Sequence, residues 1–230
     1  MTKRTAVVVW AAVFMVINLV CWGICSSEVR GEGQPDGDLS SIRVEKIAVM
    51  PFFKGKYGGS ITENLECSVC QFTYDQSALD PDADYILSLL VQEELAIRFG
   101  DRAVPFALSR EVFEKIPKDD STDTIQNLAK RLGPALNANL IVAGNVWKYK
   151  ERVGSPGAIQ SPASVGFAVY LIEPAGGKLL WKSTFSETQK SLFENVLNAK
   201  AFFNTGGKWL TARELAQYGV GEVFKEFPLR

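Results

Sequence analysis

The distribution of apolar and polar residues along the chain predicts an α/β protein built on one mixed sheet. Five short segments have strand-like patterns, in which apolar residues alternate with polar ones or form continuous runs, at 43–53, 103–106, 139–152, 163–173 and 178–187. The last two segments are joined by a Gly-rich turn that begins with Pro174, which predicts a β-hairpin. Pro51 is expected to end the first strand because proline cannot donate to a sheet ladder.

Helical periodicity predicts helices between and after these strands. The first follows Asp80 and Pro81, ends near Gly100 and is expected to bury a stripe formed by Ile86, Leu89, Leu90, Glu93 and Ile97. Further helices are predicted from Ser109 to Ile116, from Ser121 to Gly133 and Pro134, from Ser186 onward, and from Thr211 to Phe227. The last two begin with the pairs Ser186–Gln189 and Thr211–Glu214, which have the spacing of capping boxes. The predicted fold class is therefore α/β (α+β), with a single mixed sheet of about five strands packed against helices.

The N-terminal segment has the pattern of a targeting sequence. Lys3 and Arg4 precede an apolar run from Thr5 to Cys25, which has 21 residues. A spanning helix needs ~20 apolar residues, and the apolar core of a cleaved signal peptide usually has ~7–15. Residues 1–25 are therefore predicted to be a signal peptide or a membrane-anchoring helix, 26–41 a flexible tether, and 42–230 an α/β domain on the far side of the membrane.

Cys25 is a candidate for lipidation. It is followed by Ser26 and Ser27, as in bacterial lipoproteins, although Ile24 stands where those proteins usually have a small residue. Three alternatives stay open for this end of the chain: acylation of Cys25, an uncleaved anchor, and simple cleavage.

Composition argues against catalysis and against nucleic-acid binding. The chain has no histidine, which is the commonest general base and the commonest transition-metal ligand. We therefore expect a non-enzymatic protein without a metal or cofactor. Removing the first 25 residues leaves 23 basic and 26 acidic residues, and this balance lacks the concentrated basic charge that phosphate binding needs.

Cys67 and Cys70 form a C-x-x-C pair inside the long Gly-rich loop predicted at 54–79. Such a pair can be a redox couple, half of a zinc site or a structural disulfide. We favour a disulfide that pins the loop in an oxidising compartment, because the predicted domain offers no second cysteine pair and no histidine to complete a zinc site.

A possible partner-binding strip lies at the end of the third predicted strand. Trp147, Lys148, Tyr149 and Arg152 place aromatic and basic side chains in alternation. Aromatic and basic residues are common in recognition surfaces, and the same alternation is also typical of a strand with one buried and one solvated face.

Several segments resemble a known group of envelope proteins. The sequences IAVMPF at 47–52, LAKRLGPALNANLIVAGNVWKYKER at 128–152 and GGKLLWKSTFSETQ at 176–189 resemble domains of the curli-secretion lipoprotein, the penicillin-binding-protein activator lipoprotein and the N-terminal domain of the Tol-Pal β-propeller protein. The stretch 206–228, with CSVC earlier, is similar to an uncharacterised lipoprotein family of Gram-negative, delta-proteobacterial-like cells. Asn139 stands where the resembled proteins usually have an acidic residue.

The resemblance implies a membrane-tethered, lipoprotein-type, non-catalytic envelope protein with its domain on the periplasmic side. Its partner would be another envelope protein or a cell-wall component, which it binds or helps to assemble. The alternative is a thiol-disulfide or metal-handling envelope protein that uses Cys67 and Cys70. The shared fold does not choose a partner, because members of one fold bind different ones.

Overall fold

The computed structural model describes residues 42–55, 79–119, 123–155, 158–189 and 209–229. Within these ranges the chain forms one five-stranded mixed sheet with helices on both faces, together with a small two-stranded sheet. The strands are β1 (Ile47–Val49), β2 (Phe53–Lys54), β3 (Leu140–Lys150), β4 (Val153–Ser155), β5 (Ala158–Ser161), β6 (Ser164–Glu173) and β7 (Lys178–Thr188). The helices are α1 (Ala83–Phe99), α2 (Phe106–Lys115), α3 (Ile125–Leu136) and α4 (Ala212–Lys225), with a 3₁₀ turn at Gly100–Arg102. The predicted fold class is confirmed.

The main sheet has the order β1-β3-β6-β7, and β2 pairs with β3 beyond the end of β1. β1 and β2 run parallel to β3, whereas β3, β6 and β7 are antiparallel neighbours. The single strand predicted at 43–53 is thus two short strands. Pro51 has no N–H, and the N–H of Phe52 donates to the buried Ser88 Oγ of α1 at 3.0 Å, so the chain leaves the ladder between β1 and β2.

Helices cover the sheet on both faces. One core lies beneath α1 and α4 and includes Phe167 and Phe224. The other lies beneath α3 and part of α2 and includes Leu132 and Tyr170. Because β6 is buried on both faces at every position except its last, its apolar residues form a near-continuous run.

Asn139 ties the start of β3 to the segment before β1. Its Oδ1 accepts the N–H groups of Glu45 and Lys46, each at 3.0 Å, and its Nδ2 donates to the carbonyl of Arg43 at 2.7 Å. A carboxylate has no donor, so an acidic residue here would lose the bond to Arg43. An amide at position 139 can therefore make all three hydrogen bonds, whereas a carboxylate can make only two.

Two local predictions agree with the structure. The hairpin of β6 and β7 is present, with Glu173 opposite Lys178 and with Gly177 at φ 66° in the turn. The capping box of α4 is complete, since Thr211 Oγ1 accepts the Glu214 N–H at 3.1 Å and Glu214 Oε2 accepts the Thr211 N–H at 2.7 Å.

The buried face of α1 was predicted only in part, since Leu90 is buried but Glu93 is exposed. Ile97 is 79% exposed, and the buried face follows Ala83, Leu87, Leu90, Val91, Leu95 and Phe99. Ile86 and Leu89 lie at the margin of this face, where they are partly buried and pack against the core. The small Ala83 lets the start of the helix approach the sheet closely.

The segment 103–106 is not a full strand. Ala103 makes one isolated bridge to Ile47, and the N–H of Val104 donates to the Ile47 carbonyl at 2.9 Å. Pro105 then precedes the first residue of α2, which begins at Phe106 and not at Ser109. This short contact covers the outer edge of β1.

The predicted ends of α3 were also wrong. Thr124 caps the helix by accepting the N–H of Asn127 at 3.1 Å, and the predicted cap Ser121 lies outside the described residues. The helix passes through Gly133 and Pro134 and ends where Asn137 adopts a left-handed conformation with φ 51°. Asparagine tolerates that conformation better than most residues, which explains why the helix stops there.

Ser186 does not begin a helix, because β7 continues to Thr188. Gln189 extends the ladder by donating its N–H to the Ala163 carbonyl at 3.0 Å, and its Oε1 accepts the Leu210 N–H at 2.7 Å. The small sheet of β4 and β5 was not predicted from the sequence.

Candidate functional site

Three of the candidate residues lie outside the part of the chain that the structure describes. They are Cys25, Cys67 and Cys70. Lipidation of the first and disulfide formation between the other two stay predictions. The same holds for the proposed division into 1–25, 26–41 and the loop 54–79, of which the structure describes only the ends of the loop.

The structure divides the predicted strip at the end of β3 between the two faces of the sheet. Tyr149 is 3% exposed and belongs to the core beneath α1 and α4. Arg152 is on the same side, where its guanidinium NH1 donates to the carbonyl of Trp209 at 2.5 Å. Trp147 and Lys148 lie at the opposite face. Tyr149 and Arg152 therefore serve internal packing, and only Trp147 and Lys148 stay together on an open surface.

A β-bulge explains this division. Val146 pairs with Phe167 and Lys148 pairs with Gly166, so Trp147 is an extra residue on β3. The indole of Trp147 lies directly over Gly166, where an added Cβ would be 2.7 Å from Trp147 Nε1. Glycine at this position lets the indole rest on the backbone of β6. Trp147 is consequently half-buried and held in place.

β7 adds further polar side chains to the same face. Lys182 lies opposite Tyr170, with its Nζ 6.0 Å from the centre of the tyrosine ring. Lys148 Nζ lies 3.4 Å from Thr188 Oγ1. The side chain of Lys148 therefore extends from β3 over β6 to β7. By strand alternation Lys150 and Thr184 point to this side as well. We call this surface the basic face and define it as Trp147, Lys148, Lys150, Lys182, Thr184 and Thr188.

The acidic side chains of the same strands point away from the basic face. Glu173 of β6 and Glu187 of β7 occupy positions whose side chains project to the opposite face of the sheet, and Glu151, which follows β3, lies on that side as well. On that face Glu151 Oε2 accepts the N–H of Ala212 at 3.1 Å at the start of α4. Burial, and then the charge of Glu222, raises the pKa of Glu187. The carboxylates of these strands therefore point away from the basic face, and Lys178, which pairs with Glu173, shares their face.

Sequence reasoning found two members of the basic face and missed the others. Lys182 and Thr188 are on a different strand, and only the register of β6 with its neighbours brings them beside Lys148. Lys150 lies on the same strand as Lys148 but was not assigned to the predicted strip. One feature of the sequence could have indicated this surface, namely the alternation of Lys182 and Thr184 with buried residues of β7.

A second concave region lies between α1 and α2. It is a groove of about 340 Å³ lined by Tyr85, Leu89, Phe106, Ala107, Arg110, Glu111 and Glu114. Its charges are already paired, since Arg110 Nε lies 2.9 Å from Glu114 Oε1 and the guanidinium stacks 5.5 Å from the ring centre of Tyr85. Glu111 is paired with Lys115. The groove has no unpaired charge that points to a ligand.

Two buried ionisable side chains elsewhere in the described ranges, Asp123 and Tyr149, have shifted pKa values. Arg131 and the N–H of Asp119 contact the carboxylate of the buried Asp123 and lower its pKa. Burial raises the pKa of Tyr149 to about 12, so its phenol stays protonated at neutral pH.

Within the described residues no group of three or more Cys, Asp and Glu side chains is arranged to hold a metal ion. No helix in that part of the chain is long and apolar enough to cross a membrane.

Neither a protein-family model nor a curated protein matches the chain. Among solved structures, the PelC dodecamer from Paraburkholderia phytofirmans is similar with a TM-score of 0.48 and 15% identity, over 87% of this chain and 99% of that chain. The lipoprotein GNA1162 from Neisseria meningitidis has a TM-score of 0.41 and 15% identity, over 68% of this chain and 96% of that chain. The C-terminal domain of LpoB from Salmonella enterica has a TM-score of 0.35 and 10% identity, over 65% and 87%.

One of these structures, GNA1162, is described as a lipoprotein. The TM-scores and identities of the three structures are too low to carry a function to this chain. The proposals below therefore rest on its own residues.

Proposed function

We propose that this chain is a membrane-tethered, lipoprotein-type, non-catalytic protein of the cell envelope, and that its α/β domain binds another envelope component through the basic face. The observation that carries the proposal is that the carboxylates of β3, β6 and β7 point away from the basic face. Lys148, Lys150 and Lys182 share one face with a half-buried tryptophan, and no carboxylate of β3, β6 or β7 lies among them. A surface with several lysines around a partly buried aromatic group favours recognition of a partner.

The tether is supported by the N-terminal sequence. A basic start followed by an apolar run of 21 residues sends the rest of the chain across the membrane, whether Cys25 is acylated or the run stays as an anchor. The intact mass of the protein extracted from membranes distinguishes these forms. A chain that begins at an acylated Cys25 would establish a lipoprotein, and a full unmodified chain would establish an uncleaved anchor.

The same mass measurement tests the pair Cys67 and Cys70. A gain of two hydrogen masses on reduction would support a disulfide. Free thiols or bound zinc would favour the alternative function of thiol exchange or metal handling.

Site-specific photocrosslinking tests the role of the basic face. A photoreactive phenylalanine analogue at Thr184 is expected to form a discrete adduct with an envelope component in intact cells. The matched control is the same analogue at Ile97, which is 79% exposed on α1 and lies over the other face of the sheet. Equal adducts from both positions, or none from Thr184, would count against the proposal.

A further inference from the structure

We propose that the basic face binds an acidic polysaccharide. This inference rests on the function proposed above and names the class of component that the face recognises. The first argument is charge. Lys148 and Lys150 of β3 and Lys182 of β7 project from one sheet face, while the carboxylates of Glu151, Glu173 and Glu187 project from the other. The face therefore attracts anions.

The spacing of the charges favours a polymer over a small anion. Lys148 Nζ reaches Thr188, which is six residues along β7 from Lys182. Six residues of extended strand span about 20 Å. The ammonium group of Lys182 is instead directed to the ring of Tyr170. A single phosphate or sugar acid cannot contact both ammonium groups, whereas a chain with repeated charges can.

The residue types favour a polyhydroxylated ligand over a protein. Energetically important residues of protein interfaces are enriched in Trp, Tyr and Arg, whereas Lys is depleted in such interfaces and Ser and Thr are under-represented among their hot spots. The basic face contains lysines but no arginine, and Thr184 and Thr188 add hydroxyl groups. Hydroxyls can both donate to and accept from the hydroxyls of a sugar chain. Lysine presents a compact, strongly hydrated charge on a flexible stem, which attracts exposed carboxylates without fixing their orientation.

Trp147 is suited to a sugar ring and unsuited to a membrane. A side chain that inserts into lipid must protrude, but the indole of Trp147 is half-buried and rests on Gly166. It therefore cannot leave the sheet surface without exposing the backbone beneath it. The electron-rich face of a fixed indole attracts the weakly positive C–H groups on one side of a pyranose ring.

Isothermal titration of the full chain in detergent tests the inference, with polygalacturonate as the probe and dextran of similar length as the neutral control. The wild type is expected to bind polygalacturonate, with an affinity that falls as salt is added, and not to bind dextran. The double substitution Lys148→Gln with Lys182→Gln is expected to weaken binding at least about tenfold.

The matched control is Lys46→Gln with Lys115→Gln, which removes the same net charge from exposed positions outside the face. It is expected to change the affinity by less than about twofold. Trp147→Phe is expected to weaken binding severalfold with the salt dependence unchanged. Equal losses in both double variants, or no binding by the wild type, would overturn the inference.

The outcomes separate this inference from the function on which it rests. If polygalacturonate is not bound but the analogue at Thr184 still captures one envelope protein, the polysaccharide inference fails and the partner-binding function stands. If neither occurs, both fail.

Discussion

The hydroxyl of Tyr170 donates a 2.9 Å hydrogen bond to Oδ1 of Asn145 in the interior of the protein. Both residues are almost fully buried, at 1% and 2% exposed. Asn145 Nδ2 in turn donates to the carbonyl of Gly55 at 3.3 Å, just beyond β2. The pair thus connects β6, β3 and the chain after β2. The Nζ of Lys182 lies 6.0 Å from the centre of the Tyr170 ring. The hydrogen bond to Asn145 therefore also holds in place a ring that lies beneath the basic face.

Tyr170→Phe is expected to lower the free energy of unfolding by about 1–3 kcal/mol. The substitution keeps the ring but removes the donor to Asn145 Oδ1 in a buried site. Urea unfolding at neutral pH measures the change. Tyr85→Phe is the matched control, because Tyr85 is 44% exposed, and it should alter stability by less than about 0.5 kcal/mol. Equal losses of unfolding free energy in the two variants would show that the buried hydrogen bond of Tyr170 stabilises the fold no more than an exposed hydroxyl does.

Gly219 and Gly221 of α4 should respond in opposite directions to alanine. A Cβ at Gly219 would lie 2.5 Å from Cδ1 of the buried Phe185, whereas a Cβ at Gly221 meets nothing within 4 Å. Gly219→Ala is expected to cost about 1–3 kcal/mol through overpacking. Gly221→Ala is expected to stabilise the helix by up to about 1 kcal/mol. Thermal unfolding of both variants measures the difference, and a loss of stability in Gly221→Ala would contradict the expected open space.

Much of the fold could be predicted from the sequence because it depends on local pattern. β3 and the hairpin of β6 and β7 have alternating or continuous apolar residues and a Gly-rich turn. The capping box of Thr211 and Glu214 is a local device within four residues, so its sequence and its structure agree. Helix boundaries were predicted less well, since α2 begins directly after Pro105 and α3 continues through Pro134 to Leu136.

The basic face could not be predicted, because it depends on register and on one bulge. Strict alternation puts Trp147 on the face of Tyr149, and the bulge after Val146 moves it to the face of Lys148. Lys148 and Thr188 are 40 positions apart, and they meet only because β6 aligns their strands. Nothing in the local sequence specifies that alignment.

The stability of the domain is expected to fall in acid partly through Asp123. The hydrogen bond from Arg131, and then the N–H of Asp119, lowers the pKa of this carboxyl in the folded protein. A carboxyl with a lowered pKa contributes stability above its unfolded pKa of about 4, and that contribution is lost as the pH falls through the folded pKa. Asp123→Asn should therefore destabilise the protein more at pH 7 than at pH 3. Urea unfolding across this pH range measures the difference. A loss of unfolding free energy that does not change with pH would show that the ionised carboxylate of Asp123 does not stabilise the fold.

Gly166→Ala is expected to lift the indole of Trp147 from β6 and to weaken ligand binding by the basic face. The new Cβ would be 2.7 Å from Trp147 Nε1 and 3.2 Å from Lys148 Cβ, so the tryptophan and the lysine must both move. Acrylamide quenching of tryptophan fluorescence should increase, because the indole becomes more exposed. Gly176→Ala is the matched control, since its Cβ would have its nearest neighbour 3.8 Å away, at Glu173 Oε2. If Gly166→Ala leaves both quenching and polygalacturonate binding at the level of the control, the fixed position of Trp147 has no part in recognition.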